Sequence, residues 1–378
     1  MIITKLGWLI METLLLGYFL YFGSSPAMAL FIALLLIPIV SIPISMTVGK
    51  RIKIEVNTDL NLKKGHEGNI SLIVYNPTMI AVPWASCKIV IDNQLNLEKQ
   101  TILLLTWLPP KKSQELTLKA GSNYAGRLKV RVEKVKIYDC FGLIGVGSKL
   151  DASAHMTVQP DTFEMAITLI PNIHSNDESD LYSQDRIGND LSETFQIRDY
   201  VPGDNPRQIH WKLASKFDRL IVRDPSLPII QNVLVFWERT GESSDLDAID
   251  AQAEIIVSIC KSLVDLSIQF TIGWNDTDRN LVILHEIKGM DDLIGIIPRL
   301  MRATGRKEGM SGAELMIQTS SHAMCGHMVY LTQKPQFGVE EMCRYGHVTM
   351  ISREVANITD TKIYDSKHYK EQLTQIEI

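Results

Sequence analysis

The sequence lacks the features on which several large classes of protein depend. Its 378 residues include 38 Lys and Arg against 43 Asp and Glu, a formal net charge of -5, so it has no basic excess for binding phosphate groups. The five cysteines are widely scattered, with no CxxC pair and no His–Cys cluster at metal spacing. The composition therefore argues against nucleic acid as a partner, and it supports neither a disulfide framework nor a zinc site. Unpaired cysteines are typical of a reducing compartment.

Motifs for covalent and phosphate chemistry are also missing. No Ser or Cys stands in a strained strand-to-helix elbow, and no Gly-rich phosphate loop opens a helix. His210, Asp204 and Arg207 offer a base, an orienting acid and an anion clamp, but no second acid–base pair accompanies them. We therefore predict a protein that is not an enzyme and uses no cofactor. The alternative is an envelope-associated enzyme that uses the region around Arg207 and His210.

Two long apolar runs lie near the N-terminus, at residues 6–22 with the single charge of Glu12 and at residues 27–48 with none. A helix needs ~20 apolar residues to cross the ~30 Å hydrocarbon core of a bilayer. A cleaved signal peptide is the rival interpretation, but the second run follows almost directly and no small-residue cleavage pattern precedes a soluble start. Residues 1–49 are therefore predicted to form a hairpin of two transmembrane helices, with the lipid bilayer as a partner.

The charges that flank the hairpin predict its orientation. Lys5 precedes the first run, and Lys50, Arg51 and Lys53 follow the second, whereas the connecting residues 23–26 carry no charge. Basic flanks stay on the cytoplasmic side of a membrane. We therefore predict a multi-pass protein of the cell membrane with both termini in the cytoplasm.

Short alternating segments follow the hairpin, among them residues 70–75, 88–91 and 115–118. Alternation of apolar and polar side chains is typical of half-buried strands. Turn signals such as Pro109-Pro110 separate these segments at the spacing of an all-β sandwich. Residues 50–165 are predicted to form such a domain.

The composition then changes twice. Residues 166–198 are polar and acidic with little apolar periodicity, and we interpret 166–230 as an acidic connector that includes a distinctive charged segment. Beyond it, predicted strands and helices alternate: strands at 233–237, 268–274, 327–331 and 347–351, and helices from 246, near 291–301 and near 338–344. Such alternation demands a mostly parallel sheet covered on both faces, so residues 231–378 are predicted to form a doubly wound α/β domain.

The charged segment at residues 198–216 reads RDYVPGDNPRQIHWKLASK, and it closely resembles the signature of the bacterial domain-of-unknown-function family numbered 58. Residues 138–144, YDCFGLI, are similar to the Asp-x-Phe-Gly-Leu segment that closes the β-domain of that family, and the domain order also matches. The resemblance implies that the last domain is similar to a von Willebrand factor type A domain. It also implies that the protein is associated with MoxR-type AAA ATPases, often together with transglutaminase-like proteins. We therefore expect a membrane-tethered, non-enzymatic interaction or scaffold protein. Its α/β domain is expected to present the loops at the carboxyl ends of its strands to a cytoplasmic partner, a MoxR-type ATPase.

The signature segment supplies candidates for partner docking or for a structural role: Arg198, Tyr200, Gly203, Asp204, Arg207, His210, Trp211 and Lys212. Pro202 and Gly203 predict a type II turn. Asp204 is then placed to cap a short helix that packs Ile209, Leu213 and Trp211 inward. Basic and acidic side chains nearly balance, which favours an ion-pair lattice that includes Arg207. A partner-docking surface is the alternative.

A metal site is the remaining candidate that the resemblance raises. Type A domains usually hold a divalent cation through an Asp-x-Ser-x-Ser loop, and the corresponding positions after residues 233–237 are Glu238, Thr240 and Glu242. Glu is one methylene longer than Asp, and Mg²⁺ demands near-octahedral oxygen ligands at ~2.0–2.1 Å. Where such domains often have Thr-Asp after a later strand, this chain has Thr332-Gln333. We therefore expect no bound metal, with Glu238, Thr240 and Glu242 either solvated or part of a metal-free docking edge.

Overall fold

The computed structural model describes residues 2–139, 142–148, 151–168, 182–202, 204–205, 208–228, 233–241, 245–319, 327–344, 346–356, 358 and 360–378. Side chains are described for the same residues except 2–4, 182–195 and 225–228. Three residues of the predicted sites, Gly203, Arg207 and Glu242, lie outside the described residues. The chain divides into two compact units, Met1–Asp161 and Thr162–Ile378.

The first unit begins with two apolar helices, α1 (Ile2–Phe22) and α2 (Ser25–Arg51). Gly23 ends α1 in the left-handed region at φ 64°, and its N–H donates to the carbonyl of Phe19 at 2.8 Å. Ser24 then caps α2 by accepting a hydrogen bond from the N–H of Ala27 at 3.3 Å. Both helices are long and apolar enough to cross a membrane.

The rest of this unit is built from strands: β1 (Lys53–Thr58), β2 (Asn61–Lys63), β3 (Glu67–Tyr75), β4 (Val82–Asn93), β5 (Lys99–Leu108), β6 (Ser113–Gly121), β7 (Gly126–Tyr138), β8 (Gly145–Ser148) and β9 (Ser153–Gln159). One sheet has the order β1-β3-β6, and the other has the order β2-β9-β7-β4-β5 with β8 paired to β7. Alternate residues of both sheets share one core, including Leu72 of β3, Leu118 of β6 and Ile89 of β4. The predicted β-rich domain is confirmed, and its two layers form a sandwich.

The second unit contains both helices and strands: β10 (Ala166–Thr168), β11 (Tyr182–Asp199), α3 (Trp211–Phe217), β12 (Ile221–Pro228), β13 (Val233–Trp237), α4 (Leu246–Asp265), β14 (Phe270–Asp276), β15 (Leu281–Ile287), α5 (Met290–Leu300), α6 (Gly312–Gln318), β16 (His327–Leu331), α7 (Val339–Met342), β17 (His347–Ser352), β18 (Asp360–Ile363), α8 (Tyr369–Gln372) and β19 (Gln375–Glu377). Six of the strands form a sheet in the order β15-β14-β13-β16-β17-β18. All neighbours in it are parallel except β14 and β15.

Helices cover both faces of this sheet. On one face, the indole N–H of Trp237 donates to Gln252 of α4 at 3.3 Å. On the other, Phe236 packs with Ala313 of α6 and Val339 of α7. Successive side chains of a strand point to opposite faces, so neighbouring residues of β13 reach different helices. The order of the strands reverses between β13 and β16, which makes their carboxyl ends a topological switch point.

The acidic connector predicted over residues 166–230 contains strands in the part that the structure describes, whereas residues 169–181 lie outside the described residues. Residues 166–168 form β10, which pairs parallel with β19, and residues 182–199 form β11, which pairs antiparallel with β12. The β11–β12 ribbon contains several register shifts. Because each shift moves side chains to the other face, such a ribbon leaves no regular apolar alternation in the sequence.

Candidate functional site

A buried polar cluster lies at the switch point, where β13, β14 and β16 meet the first turn of α6. We call it the switch-point cluster, and its members are Glu238, Thr240, Asn275, Gly312 and Tyr330. Glu238 follows β13 directly, Asn275 is the second-last residue of β14, and Gly312 begins α6. The side chain of Glu238 is buried, with 2% of the residue exposed.

The Glu238 carboxylate accepts hydrogen bonds from four donors. Oε1 accepts from the N–H of Thr240 at 2.8 Å and from the Asn275 amide at 2.6 Å. Oε2 accepts from the N–H of Gly312 at 2.6 Å and from the Tyr330 hydroxyl. Since these donors belong to four separated segments of sequence, the carboxylate joins the strand ends to the helix N-terminus. A helix N-terminus favours a negative charge at this position.

The surrounding contacts hold each donor in place. Asn275 also donates to the hydroxyl of Thr240 at 2.7 Å, and that hydroxyl donates to the carbonyl of Met310 at 3.0 Å. Ser311 and Glu314 form a reciprocal capping box at the start of α6. A Cβ placed on Gly312 would lie 2.3 Å from the Phe236 ring, so only glycine lets the backbone N–H reach Glu238.

Burial controls the protonation of the cluster. It raises the pKa of the Glu238 carboxyl, and the hydrogen bonds from Tyr330, Thr240 and Gly312 act against that rise. Burial and the neighbouring carboxylate raise the pKa of Tyr330 well above its usual value. The Tyr330 hydroxyl therefore stays protonated and serves as a donor.

The switch-point cluster does not fit a divalent cation. Mg²⁺ requires several oxygen ligands with free lone pairs, whereas the Glu238 oxygens face N–H and O–H donors. The hydroxyl of Thr332 is also engaged, donating to the carbonyl of Lys334 at 2.6 Å. The expectation that Glu238 and Thr240 are solvated is wrong, because only 2% and 4% of these residues are exposed. Their polar groups are satisfied by one another and by distant segments instead.

The signature segment has its own ionic centre at Arg198, the second-last residue of β11. Its guanidinium makes a bidentate contact with Asp204 at 2.7 and 2.8 Å, and its Nε donates to Asp224 of β12 at 3.0 Å. Asp224 is buried. Asp204 also accepts from the N–H of Val201 at 2.8 Å, and these contacts, led by Arg198, lower the pKa of Asp204 to about 2. Arg198 thereby fixes the loop after β11 to β12.

The cap of the signature helix differs from the prediction. His210 occupies the N-cap position of α3, and its Nδ1 accepts from the N–H of Leu213 at 3.3 Å. Asp204 does not cap the helix because its carboxylate is engaged by Arg198 and the N–H of Val201. Since Nδ1 serves the cap, the His210 ring has a structural role at this position, and the geometry does not favour its use as a base.

The predicted burial of Trp211 is also wrong. Trp211 is 65% exposed, because α3 turns Ala214 rather than Trp211 into the buried contact. Other apolar residues in the segment and just after it are exposed as well, and together with Trp211 we call them the signature surface: Val201, Trp211, Phe217 and Leu220. Lys212 and Lys216 are exposed on the same helix. Large exposed apolar side chains grouped in one short stretch of sequence make it a candidate interaction site.

Tyr200 and Lys212 complete the predicted set. The N–H of Tyr200 donates to the carbonyl of Leu220 at 3.0 Å. This hydrogen bond joins the residue that follows β11 to the residue that precedes β12. Lys212 is exposed in the first turn of α3. The structure thus separates the candidates into a scaffold around Arg198 and an exposed part around Trp211. Sequence reasoning missed Asn275, Gly312, Tyr330 and Asp224, although the capping pair Ser311 and Glu314 was a usable signal for α6.

No family model and no curated protein matches the chain. Among solved structures, the CARDB domain of a Pyrococcus furiosus protein is similar at 15% identity over 28% of this chain and 86% of that chain, with a TM-score of 0.22. The alkylpurine DNA glycosylase AlkC of Pseudomonas fluorescens is similar at 14% identity over 39% of this chain and 41% of that chain, with a TM-score of 0.21. A β-glucosidase from Listeria innocua follows at 9% identity, 27% and 16% coverage and a TM-score of 0.18. Similarity at this level carries no argument about fold or function.

Proposed function

We propose that this chain is a membrane-tethered, non-enzymatic interaction protein that docks a cytoplasmic partner on the signature surface. The observation that carries the proposal is the exposure of Trp211 beside a loop that Arg198 fixes to β12. Trp is enriched among the residues that dominate protein interfaces, and a rigid support lowers the entropy lost on binding. The resemblance to the family numbered 58 supplies a MoxR-type AAA ATPase as the expected partner.

We also propose that the second unit is the type A-like domain that the same resemblance implies, and its sheet supports this. Its sheet is doubly wound, with one antiparallel edge strand. In sheets of this topology, ligands usually bind outside the carboxyl ends of the strands at the switch point. Here the switch-point cluster fills that place with satisfied hydrogen bonds, so the proposed domain is metal-free and its docking surface is elsewhere.

The membrane tether is the pair α1 and α2. Their apolar lengths support a hairpin, and the basic residues Lys5, Lys50 and Arg51 support an orientation with both ends in the cytoplasm. A reporter fused before Met1 or after Ile378 is then expected to be active only in the cytoplasm. Activity of either fusion outside the cytoplasm would contradict this orientation.

Affinity purification of the full chain from gently solubilised membranes tests the docking proposal. Trp211→Ala should greatly reduce recovery of the MoxR-type ATPase without a loss of stability, because most of the Trp211 side chain is exposed. Phe337→Ala is the matched control, since Phe337 is 85% exposed near the carboxyl edge of the sheet. Loss of the ATPase with Phe337→Ala but not with Trp211→Ala would move the docking site to the carboxyl-edge loops.

A further inference from the structure

One end of the β-sandwich is fixed to the membrane-side helix α2. Val48 and Gly49, in the last turns of that helix, are buried. A Cβ placed on Gly49 would lie 3.3 Å from Cδ1 of Ile137 in β7 and 3.7 Å from Cβ of Ser148 in β8. The helix therefore packs closely against the end of the sheet where β7 finishes. This contact identifies the end of the sandwich that is nearest to the membrane when α2 spans it.

Strand register places two exposed tryptophans at this same end. Tyr138, the residue after Ile137, pairs with Trp84 of β4. The next residue of β4 pairs with Thr106 of β5, so Trp107 is also beside this position. Trp84 and Trp107 are 55% and 57% exposed. Two exposed indoles at one end of a domain are unusual, because Trp is mostly buried in soluble proteins.

Apolar and basic residues surround the two indoles. A rigid loop precedes β4: the Asn76 amide donates to the carbonyl of Ile80 at 2.9 Å, and the loop presents Met79, which is 75% exposed, and Ile80. The N–H of Lys111 donates to the carbonyl of Thr78 at 3.0 Å, which brings the exposed turn after β5 to the same loop. We call the combined patch the helix-proximal surface: Met79, Ile80, Trp84, Trp107, Lys111 and Lys112.

We propose that the helix-proximal surface lies in the headgroup region of the bilayer and binds anionic lipid. Trp is enriched at membrane interfaces, where its ring is apolar and its N–H is polar, and Lys near the surface is attracted to anionic headgroups. The patch is continuous with the contact through which α2 joins the sandwich. Leu105, two residues from Trp107 at ~3.4 Å per residue, is also exposed, so the apolar stripe matches an interfacial layer ~5–10 Å deep.

This inference rests on the proposed membrane hairpin, and the test measures hairpin insertion and lipid contact of the helix-proximal surface separately. The full chain is placed in nanodiscs that hold a single copy, with or without brominated phosphatidylglycerol and phosphatidylcholine, and tryptophan emission is compared. The chain has six tryptophans. Trp8 in α1 reports insertion of the hairpin, whereas Trp84 and Trp107 report the surface. If emission is shared evenly, bromine should quench about half of it in the wild type, since three of six rings contact lipid.

Trp84→Phe with Trp107→Phe should lower the quenched fraction about twofold, and Trp211→Phe, in the other unit, should not lower it. Replacing Lys111 and Lys112 with Glu should reduce quenching by the anionic lipid more than by the zwitterionic lipid. A quenched fraction that rises in the double Phe variant, from about one sixth to about one quarter, with quenching lost in Trp8→Phe, would overturn the inference and leave the hairpin intact. No quenching of any tryptophan would overturn both. Shielding of Trp84 and Trp107 only in nanodiscs with two copies would assign the patch to a second chain and overturn the lipid proposal.

Discussion

The Glu238 carboxylate is the acceptor for four donors, so Glu238→Gln removes about half of its accepting capacity without changing its size. The amide oxygen serves two donors, and the amide nitrogen then faces the other two. If the nitrogen replaces Oε2, the N–H of Gly312 and the hydroxyl of Tyr330 lose their acceptor. A buried donor without an acceptor costs ~1–3 kcal/mol, so we expect the second unit to lose at least ~2 kcal/mol of unfolding free energy.

Two buried cysteines make this loss measurable in the full chain. Cys260 lies in α4 of the second unit, and Cys87 lies in the core of the first. Burial raises the pKa of both thiols, to about 11 for Cys87, so neither reacts quickly in the folded state. Pulse labelling along a urea titration, with each cysteine mapped by mass spectrometry, therefore reports the two units separately. A loss of ~2 kcal/mol corresponds to about thirtyfold more unfolded second unit.

Glu238→Gln should move the labelling of Cys260 to lower urea and leave that of Cys87 in place. Glu340→Gln is the matched control, because Glu340 is exposed and a surface change of this kind stays within ~0.5 kcal/mol. If Cys260 reacts at the same urea concentration in Glu238→Gln and in the wild type, the carboxylate does not hold the sheet ends together. A shift of Cys87 instead would show that the variant acts outside the second unit.

Three further predictions follow from single contacts. Arg198→Ala should destabilise the second unit by ~1–3 kcal/mol because the buried Asp224 loses its charged partner and keeps only the hydrogen bond from Gln196. Arg219→Ala, which breaks an exposed pair, should cost ~1 kcal/mol or less, and urea titration of the labelled cysteine measures both. Burial, with a smaller contribution from a neighbouring histidine, lowers the pKa of His327 to about 3. The contribution of the neutral His327 ring to stability is therefore fully present above the unfolded pKa of ~6.5. It decreases as the pH is lowered, by about 2 kcal/mol from pH 7 to pH 5. Hydrogen exchange of β16, corrected for intrinsic rates, should show this fall, and His368→Gln should not change it; a flat profile would contradict the burial of a neutral ring. Millimolar magnesium should leave the melting temperature unchanged. A bound ligand at 100 times its dissociation constant would add ~2.7 kcal/mol to the free energy of unfolding and would raise the melting temperature measurably.

Periodicity predicted the buried strands well because burial on both faces produces unbroken apolar runs. The run at residues 327–331 coincides with β16, and the run at 233–237 coincides with β13. The ribbon of β11 was missed because register shifts remove the alternation that marks a strand. Helix α6 was missed because it is short, although its capping box is readable in the sequence.

The candidate sites were predicted in position but not in environment. Glu238 was expected to be either solvated or part of a metal-free docking edge, yet it is buried by Asn275, Gly312 and Tyr330, which are distant in sequence. The pattern of a single sequence does not indicate which distant residues will be in contact. The same limit applies to Trp211, whose exposure depends on how α3 lies on β12 rather than on its own apolar character.

The two corrections have a common consequence for where a partner can bind. An acidic side chain at the carboxyl edge of a doubly wound sheet is normally free to bind a ligand, but here every oxygen of Glu238 already has a donor. A partner that approached this edge would have to break hydrogen bonds that also hold β13, β14, β16 and α6 together. The signature surface imposes no such penalty, because Trp211 is exposed and its support through Arg198 is already satisfied. Burial of the indole by a partner would therefore add apolar contact without unmaking any contact within the unit.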